Sequence, residues 1–317
     1  MPVSPHLVRL ISEHSKAPDH AALGTLNDAI LGIYTDAVDA ILVYGSCLRS
    51  GNYYDGLVDL YVVVDNYKNA YNNTIHRLLN QLLAPNVFYL EVPFEEHVIR
   101  TKYAVISSAD FRKGTSTRRF HSYLWGRFAQ PATVAYARNV ASEKQIYDCL
   151  AQSVITFCLR VLPRLPPRFS TAQLWCDGLG LSYAAELRAE KLDRTQVLFE
   201  AAESYYEAVT STALETLPYT IVKQSDDKNA VFTVTMPQRI RYAGRAAWGM
   251  RRLQGKLLSV LRLLKALVTF RGGVDYIVWK LERHSGEKIE LSPRMRRYPV
   301  IFIWGLFWRL YRRGIFR

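Results

Sequence analysis

The apolar positions fall into two periods. Spacing of three and four predicts helices over residues 7–14, 26–34 and 71–83, the last with Ile75, Leu78, Leu79, Leu82 and Leu83 on one face and a stop at Ala84-Pro85. Short β-branched and aromatic runs predict strands over 41–44, 57–64, 87–92 and 103–107. From residue 142 the helical period dominates: 142–162 closes at Pro163 and the Pro166-Pro167 pair, and 173–181 and 196–217 follow. Runs at 219–223 and 231–235 around the turn 225–229 predict a hairpin. Residues 245–270 mix leucines with Arg251, Arg252, Lys256, Arg262 and Lys265, the pattern of a basic amphipathic helix. These elements predict an α+β chain: a mixed sheet with helices over 1–140, a helical domain over 141–240 and a basic amphipathic region over 241–317.

Candidate chemistry gathers at the seam of the first two strands. The apolar run 41–44 stops at Gly45-Ser46, a polar loop carrying Asp55 follows, and the next strand begins beside Asp59. A Gly-Ser turn at a strand end lets backbone approach a ligand closely, with N–H groups and a hydroxyl available to phosphate oxygens. Mg²⁺ favours one or two carboxylates together with substrate phosphates, so a phosphate-holding turn facing Asp59 has the parts of a metal-assisted nucleotidyl transfer site. Asp59 and Asp65 share a strand face but stand about 20 Å apart on a regular strand. The second metal ligand is therefore expected from Asp55, and next from Glu91, which as a strand charge is also open to plain solvation. The segment 111–119, FRKGTSTRR, reads either as a phosphate loop or as a solvated loop.

Charge changes the picture of the C-terminal third. The formal net charge is +13, yet residues 241–317 alone hold 18 Lys/Arg and 4 Asp/Glu. A basic region so concentrated points to a polyanion, either nucleic acid or an anionic membrane surface. Residues 298–307 are apolar and aromatic, but Arg309 interrupts before about 20 residues accumulate, which disfavours a membrane span. An interfacial segment is expected instead, with Trp304, Phe307 and Trp308 at headgroup level and Arg309 and Arg312 among the arginines meeting anionic lipid; a helix docked on the core is the other reading. Cys47, Cys149, Cys158 and Cys176 have neither metal-ligand spacing nor a disulfide framework, and the N-terminal stretch lacks the apolar core of a signal peptide. The expected location is the cytoplasmic face of a bacterial-type cell membrane, peripheral.

Gly45-Ser46, the polar loop and Asp59 at the head of a strand resemble the signature of the DNA polymerase β-type nucleotidyltransferase superfamily, with Tyr61 where a second acid usually stands. Further blocks are similar to one branch, the mitochondrial translocator assembly and maintenance proteins and their bacterial relatives, which are CDP-diacylglycerol synthases. These blocks are Pro85 with Asn86, Val87, Phe88 and Tyr89; Lys102 to Ser107; Tyr123 to Arg127, with Gln130 where a lysine is frequent; and Gly180 to Arg188. The resemblance spans about residues 41–188. It implies a winged-helix-like character for the helical domain, with the hairpin as its wing. It implies Asp59, Asp55 and Lys102 as catalytic residues, with Gly45, Ser46 and Arg127 on the nucleotide. Arg188 and Tyr183 would then lie on a lipid phosphate.

The implied reaction is phosphatidate cytidylyltransfer: phosphatidic acid and CTP, with Mg²⁺, give CDP-diacylglycerol and pyrophosphate at the membrane surface. Competing readings are a nucleic-acid-binding protein on the same scaffold and a nucleotidyltransferase acting on RNA or a small hydroxylated substrate. A run such as 300–307 suits a lipid surface and not a nucleic-acid groove, so no nucleic acid partner is expected. Base selectivity, acyl selectivity and oligomeric state stay open at this stage.

Overall fold

In the computed structural model, which describes residues 3–186, 193–224 and 230–269, a five-stranded mixed sheet carries the N-terminal half. Its strands are β1 (Val38–Tyr44), β2 (Leu57–Val64), β3 (Asn86–Phe94), β4 (His97–Ser107) and β5 (Thr133–Ala137), in the order β3-β4-β2-β1-β5. Only β2 and β4 run parallel; β1 with β2, β1 with β5 and β3 with β4 are antiparallel.

Strand β2 is an almost unbroken apolar run because both faces of the sheet are covered. Tyr61 and Val63 point into one core with Leu42 and Ile106, whereas Leu60, Val62 and Val64 point into the other with Ile41, Val43 and Val105. Helix α1 (Pro5–His14) packs on the first face through Leu7 and Ile11, and α2 (Ala21–Tyr34) covers the second through Leu23, Leu26 and Ile30. Asp59 is the polar interruption. It shares the face of Tyr61 and Val63 but lies at the strand's open end.

Short helices line the edges: α3 (Ser46–Ser50) directly after β1, α4 (Tyr67–Ala70), α5 (Thr74–Leu82), α6 (Ser108–Thr115) and α7 (Trp125–Phe128). Two local expectations change, those for 111–119 and for α5, while Asp65 keeps away from the site as its spacing predicts. The expected loop at 111–119 is in part α6, because Phe111 is fully buried and the Ser107 hydroxyl caps the helix by accepting from Asp110 N. Asp65 ends β2 and accepts from Asn66 N and Asn69 Nδ2, a local turn role. Helix α5 is turned over: Ile75, Leu78 and Leu82 face outward, while Asn80 and His76 are buried. Asn80 Nδ2 donates to Val105 O and Tyr71 Oη, tying the helix to the sheet through polar bonds.

The second half is built on α8 (Val140–Val161), α9 (Thr171–Ala184), α10 (Asp193–Glu200) and α11 (Glu203–Glu215), with a three-stranded sheet of β6 (Arg168–Ser170), β7 (Thr220–Lys223) and β8 (Val231–Thr235) in the order β6-β8-β7. The hairpin is present; the single helix expected over 196–217 is broken at Ala201-Ala202 into α10 and α11. Helix α8 with the turn after it is long and apolar enough to cross a membrane, yet 72% of its apolar 18-residue window is buried within the protein. It is a core helix. Phe157 stacks on Trp175 at 4.6 Å, and Trp175 donates to Thr210 Oγ1 at 2.8 Å.

Helix α12 (Gln238–Thr269) lies across both halves. Gly244 meets Pro163, Trp248 donates to Arg160 O at 2.8 Å, and Gly255 passes so near Ala185 that an added Cβ would stand 2.1 Å from its carbonyl oxygen. Arg251 and Lys265 are buried here, not spread on a solvated basic face as the amphipathic pattern suggested. Arg251 donates to Phe120 O at 2.8 Å with its guanidinium over the Phe120 ring. The outward face exposes Leu253, Leu257, Val260, Leu261, Leu263, Leu264 and Val268.

Candidate active site

Four residues lie in one row across the sheet. Tyr44 on β1 pairs with Asp59 on β2, Asp59 with Lys102 on β4, and Lys102 with Tyr89 on β3. Residues in register share a face, so the strand ends deliver Tyr44, Asp59 and Lys102 to the same side. Lys102 Nζ stands 2.9 Å from Asp59 Oδ1, an ion pair lying off hydrogen-bond alignment, for that oxygen is shielded and makes no hydrogen bond.

Gly45 follows Tyr44 with φ +90°, a conformation open to glycine, and Ser46 begins α3. A Cβ on Gly45 would lie 2.9 Å from Asp59 Oδ2. The glycine therefore lets the turn and the carboxylate close on each other, as well as sparing room for a ligand.

This turn opens into a cavity of about 950 Å³. Its walls include Gly45, Ser46 and Arg49 from the first turn, Asp59 and Lys102 from the sheet, Tyr123, Arg127 and Gln130 around α7, Tyr183 and Glu186 from α9, Arg194 from α10, and Ser259, Arg262 and Lys265 from α12. The carboxylates on this wall, Asp59 and Glu186, are each paired with a cation, so the cavity carries excess positive charge.

Arg127 is enclosed by partners on several sides. Its Nη2 pairs with Glu186 Oε2 at 3.3 Å, its Nη1 donates to the Tyr44 and Tyr61 hydroxyls at 3.4 Å each, and the Tyr123 ring lies 4.7 Å from the guanidinium carbon. Burial, then the charge of Asp59, pushes the Tyr44 hydroxyl up to about 12. Burial raises Tyr61 well above the ordinary tyrosine range. At Tyr123 burial works in the same direction, but the charges of Arg127 and Arg262 outweigh it and the hydroxyl is lowered. Tyr183 donates to Gln130 Oε1 at 2.9 Å, and Gln130 donates in turn to Gly126 O at 3.2 Å. The residue standing where a lysine was expected thus supports Tyr183.

The structure brings together Gly45, Ser46, Asp59, Lys102, Arg127 and Tyr183 from the expected set. Asp55 stays in its loop, where its carboxylate accepts from Asn52 Nδ2 at 3.0 Å. Glu91 accepts from Arg100 Nε at 3.1 Å and Tyr89 Oη at 2.7 Å. By register it is two strands and two residues from Asp59, roughly 12 Å. Arg188, Trp304, Phe307, Trp308, Arg309 and Arg312 lie outside the described residues.

The donor set does not form a cage for a resident Mg²⁺. Among the described residues no three His, Cys, Asp or Glu side chains converge. Beside the Gly45-Ser46 turn the cavity offers one carboxylate, Asp59, ion-paired with Lys102, while Glu186 is held by Arg127. One carboxylate suits a metal that arrives already bound to nucleotide phosphates.

No family model matches the chain, and no curated protein matches it. Among solved structures it is similar to a nucleotidyltransferase-like protein from Exiguobacterium sibiricum 255-15, at 10% identity and a TM-score of 0.26, covering 93% of this chain and 92% of that one. A likeness of that size fixes no activity.

Pattern reading missed Arg49, Arg194, Ser259, Arg262 and Lys265 as members of the cavity. Arg262 and Lys265 carried a usable signal, since they continue the inward stripe Gly244, Trp248, Arg251, Gly255 and Ser259 at spacings of three and four. Arg49 and Arg194 reach the cavity through tertiary packing, for which the sequence holds no local sign.

Proposed function

We propose that the protein is a nucleotidyltransferase that moves a nucleotidyl group onto a phosphomonoester at a membrane surface, as a phosphatidate cytidylyltransferase does. The observation carrying this reading is the cavity itself. A Gly-Ser turn that closes on Asp59 and residues of α12 line the same space, and α12 also exposes a row of leucines. In this reading the nucleotide enters as its magnesium complex, phosphates toward Gly45, Ser46 and Lys102. An acceptor phosphate oxygen attacks the α-phosphorus of CTP, the bond from that phosphorus to the bridging oxygen breaks, and pyrophosphate leaves with the electron pair.

Lys102 would stabilise charge developing on the phosphates, and Asp59 would hold Lys102 in place and present its carboxylate to the incoming complex. Arg127 acts through its surroundings: enclosed by Glu186 and tyrosines, it fixes the wall that Tyr44 and Tyr123 present. The concave shape favours a compact phosphorylated ligand over a nucleic-acid backbone, which needs an extended groove. Lipid access is supported by the exposed faces of α12 and α5, where Leu257, Leu261, Leu264, Leu78 and Leu82 stand outward.

The test is incubation of the full chain with phosphatidate vesicles and each labelled nucleoside triphosphate, with and without Mg²⁺. Pyrophosphate release together with a nucleotide-bearing lipid is expected with CTP. Absence of transfer from every triphosphate to phosphatidate would overturn the reading.

A further inference from the structure

We infer that Arg262, with Ser259 and Lys265 beside it on α12, forms the subsite for the acceptor's phosphomonoester, apart from the Gly45-Ser46 end that takes the nucleotide phosphates. The inference rests on the nucleotidyl-transfer reading for the word acceptor; the anion site itself stands on geometry. All three side chains line the cavity.

Arg262 differs from its neighbour Arg127 in lacking a counter-charge. Both guanidiniums lie against Tyr123, Arg127 at 4.7 Å and Arg262 at 3.8 Å from the ring centre. Arg127 is closed by Glu186 and two tyrosine hydroxyls. No carboxylate of the described residues pairs with Arg262; the shielded Nε atoms of both guanidiniums make no hydrogen bond, so the missing counter-charge is the difference between them. A guanidinium that lines the cavity with no carboxylate beside it is balanced by an anion held on its terminal fork.

The neighbours sharpen the deficit. Arg119 donates from Nε to His121 Nε2 at 2.8 Å, so that imidazole holds its proton on Nδ1, which has no partner. Burial first, then Arg119 and Arg262, drives His121 down to about 3, so it brings no charge of its own. Lys265 donates to the Leu83 and Pro85 carbonyls. An ammonium has three hydrogens, and two carbonyls leave one for the cavity. The Arg262 fork and that third hydrogen match the several oxygens of a phosphate monoester dianion.

The experiment titrates glycerol 3-phosphate and CTP separately into the full-length protein by calorimetry, and measures co-sedimentation with phosphatidate vesicles against phosphatidylglycerol vesicles of equal charge. Arg262→Gln is expected to weaken glycerol 3-phosphate by about tenfold or more while CTP binding stays within about twofold. Unchanged glycerol 3-phosphate binding would overturn the subsite, as would equal weakening of both ligands. Should Arg262→Gln fail to fold, Arg262→Lys keeps the charge and loses the fork, and the same selective loss is required of it. Arg262 dependence seen with phosphatidate but not phosphatidylglycerol vesicles assigns the site to a lipid headgroup; equal affinity for the soluble monoester assigns it to a free phosphate. If the protein transfers no nucleotide yet shows Arg262-dependent monoester binding, the enzymatic reading fails and the subsite survives.

Discussion

Lys102 and Asp59 face each other across the one parallel strand pair of the main sheet, 2.9 Å from ammonium to carboxylate. In this pair the cation sits where ligand phosphates would meet the acid. Removing either residue takes from the other the counter-charge 2.9 Å away, and the two should act as a unit. Asp59→Asn and Lys102→Met are each expected to reduce nucleotidyl transfer by about 100-fold or more. The double variant should be little worse than either alone. Multiplicative losses would show that the two residues work independently.

At the turn, the glycine matters more than the serine. Gly45 has φ +90° and no room for a Cβ against Asp59 Oδ2. Gly45→Ala is expected to lower stability by about 1–3 kcal/mol through backbone strain and displacement of the carboxylate, and Gly45→Val by more. Ser46→Ala should leave the melting temperature nearly unchanged while raising KM for the nucleotide. A fall in stability with normal kinetics would reduce Ser46 to a role in the turn.

Arg127 and Glu186 predict a stability effect before any catalytic one. Their side chains are both 11% exposed and 3.3 Å apart. Arg127→Met would break the ion pair of Glu186 beside buried tyrosines, with an expected loss of about 3–5 kcal/mol in urea unfolding. Combining it with Glu186→Gln should recover part of that loss. If the double variant were as unstable as Arg127→Met alone, the tyrosine contacts would be the dominant partners of Arg127.

Which parts were legible depends on how local the cause was. The strand β2 and its interruption at Asp59 could be read because a doubly buried strand must be apolar, and an acid within it needs a reason. Helix α5 misled the pattern, since its apolar stripe of Ile75, Leu78 and Leu82 faces outward and Asn80 anchors it by hydrogen bonds. Periodicity reports which residues share a face and not where that face points. Asp55 and Glu91 were sound candidates by residue type, but their own neighbours, Asn52 and Arg100, engage them. In α12 the basic pattern was visible, whereas the burial of Arg251 and Lys265 depended on carbonyls from Phe120, Leu83 and Pro85, distant in sequence.

The outward faces of α12 and α5 predict the lipid contact. Leu257, Leu261 and Leu264 lie on successive turns of α12 with exposed Arg252 and Lys256 nearby, an arrangement suited to an anionic bilayer. Leu261→Asp and Leu78→Asp, both at exposed positions, should leave the melting temperature within about 2 °C and reduce co-sedimentation with phosphatidate vesicles. Binding of glycerol 3-phosphate should not change. Unaltered sedimentation in the combined variant would move the lipid contact away from these helices.

Lys265 makes stability depend on pH in a direction that can be fixed in advance. Burial, then the charge of Arg262, lowers its ammonium from 10.5 to about 7. The groups facing it are the Leu83 and Pro85 carbonyls and, on its own helix, Arg262; no carboxylate among the described residues offsets the charge. Below about pH 7 the lysine is protonated in both the folded and unfolded chain, and the full penalty of burying its charge is present. Between about 7 and 10.5 the unfolded chain binds a proton that the folded one has released, so stability rises with pH over that interval. Lys265→Met should remove this rise, and the difference between wild type and variant, measured by urea unfolding at about pH 6 and about pH 9.5, reports it free of other titrating groups. Phosphomonoester binding adds a second sign. An anion favours the ammonium, so binding near pH 8 should take up a proton in the wild-type protein, detectable as a dependence of the calorimetric heat on buffer ionisation enthalpy. Loss of that uptake in Lys265→Met is the expected result; equal uptake in both proteins would place the titrating group elsewhere in the cavity.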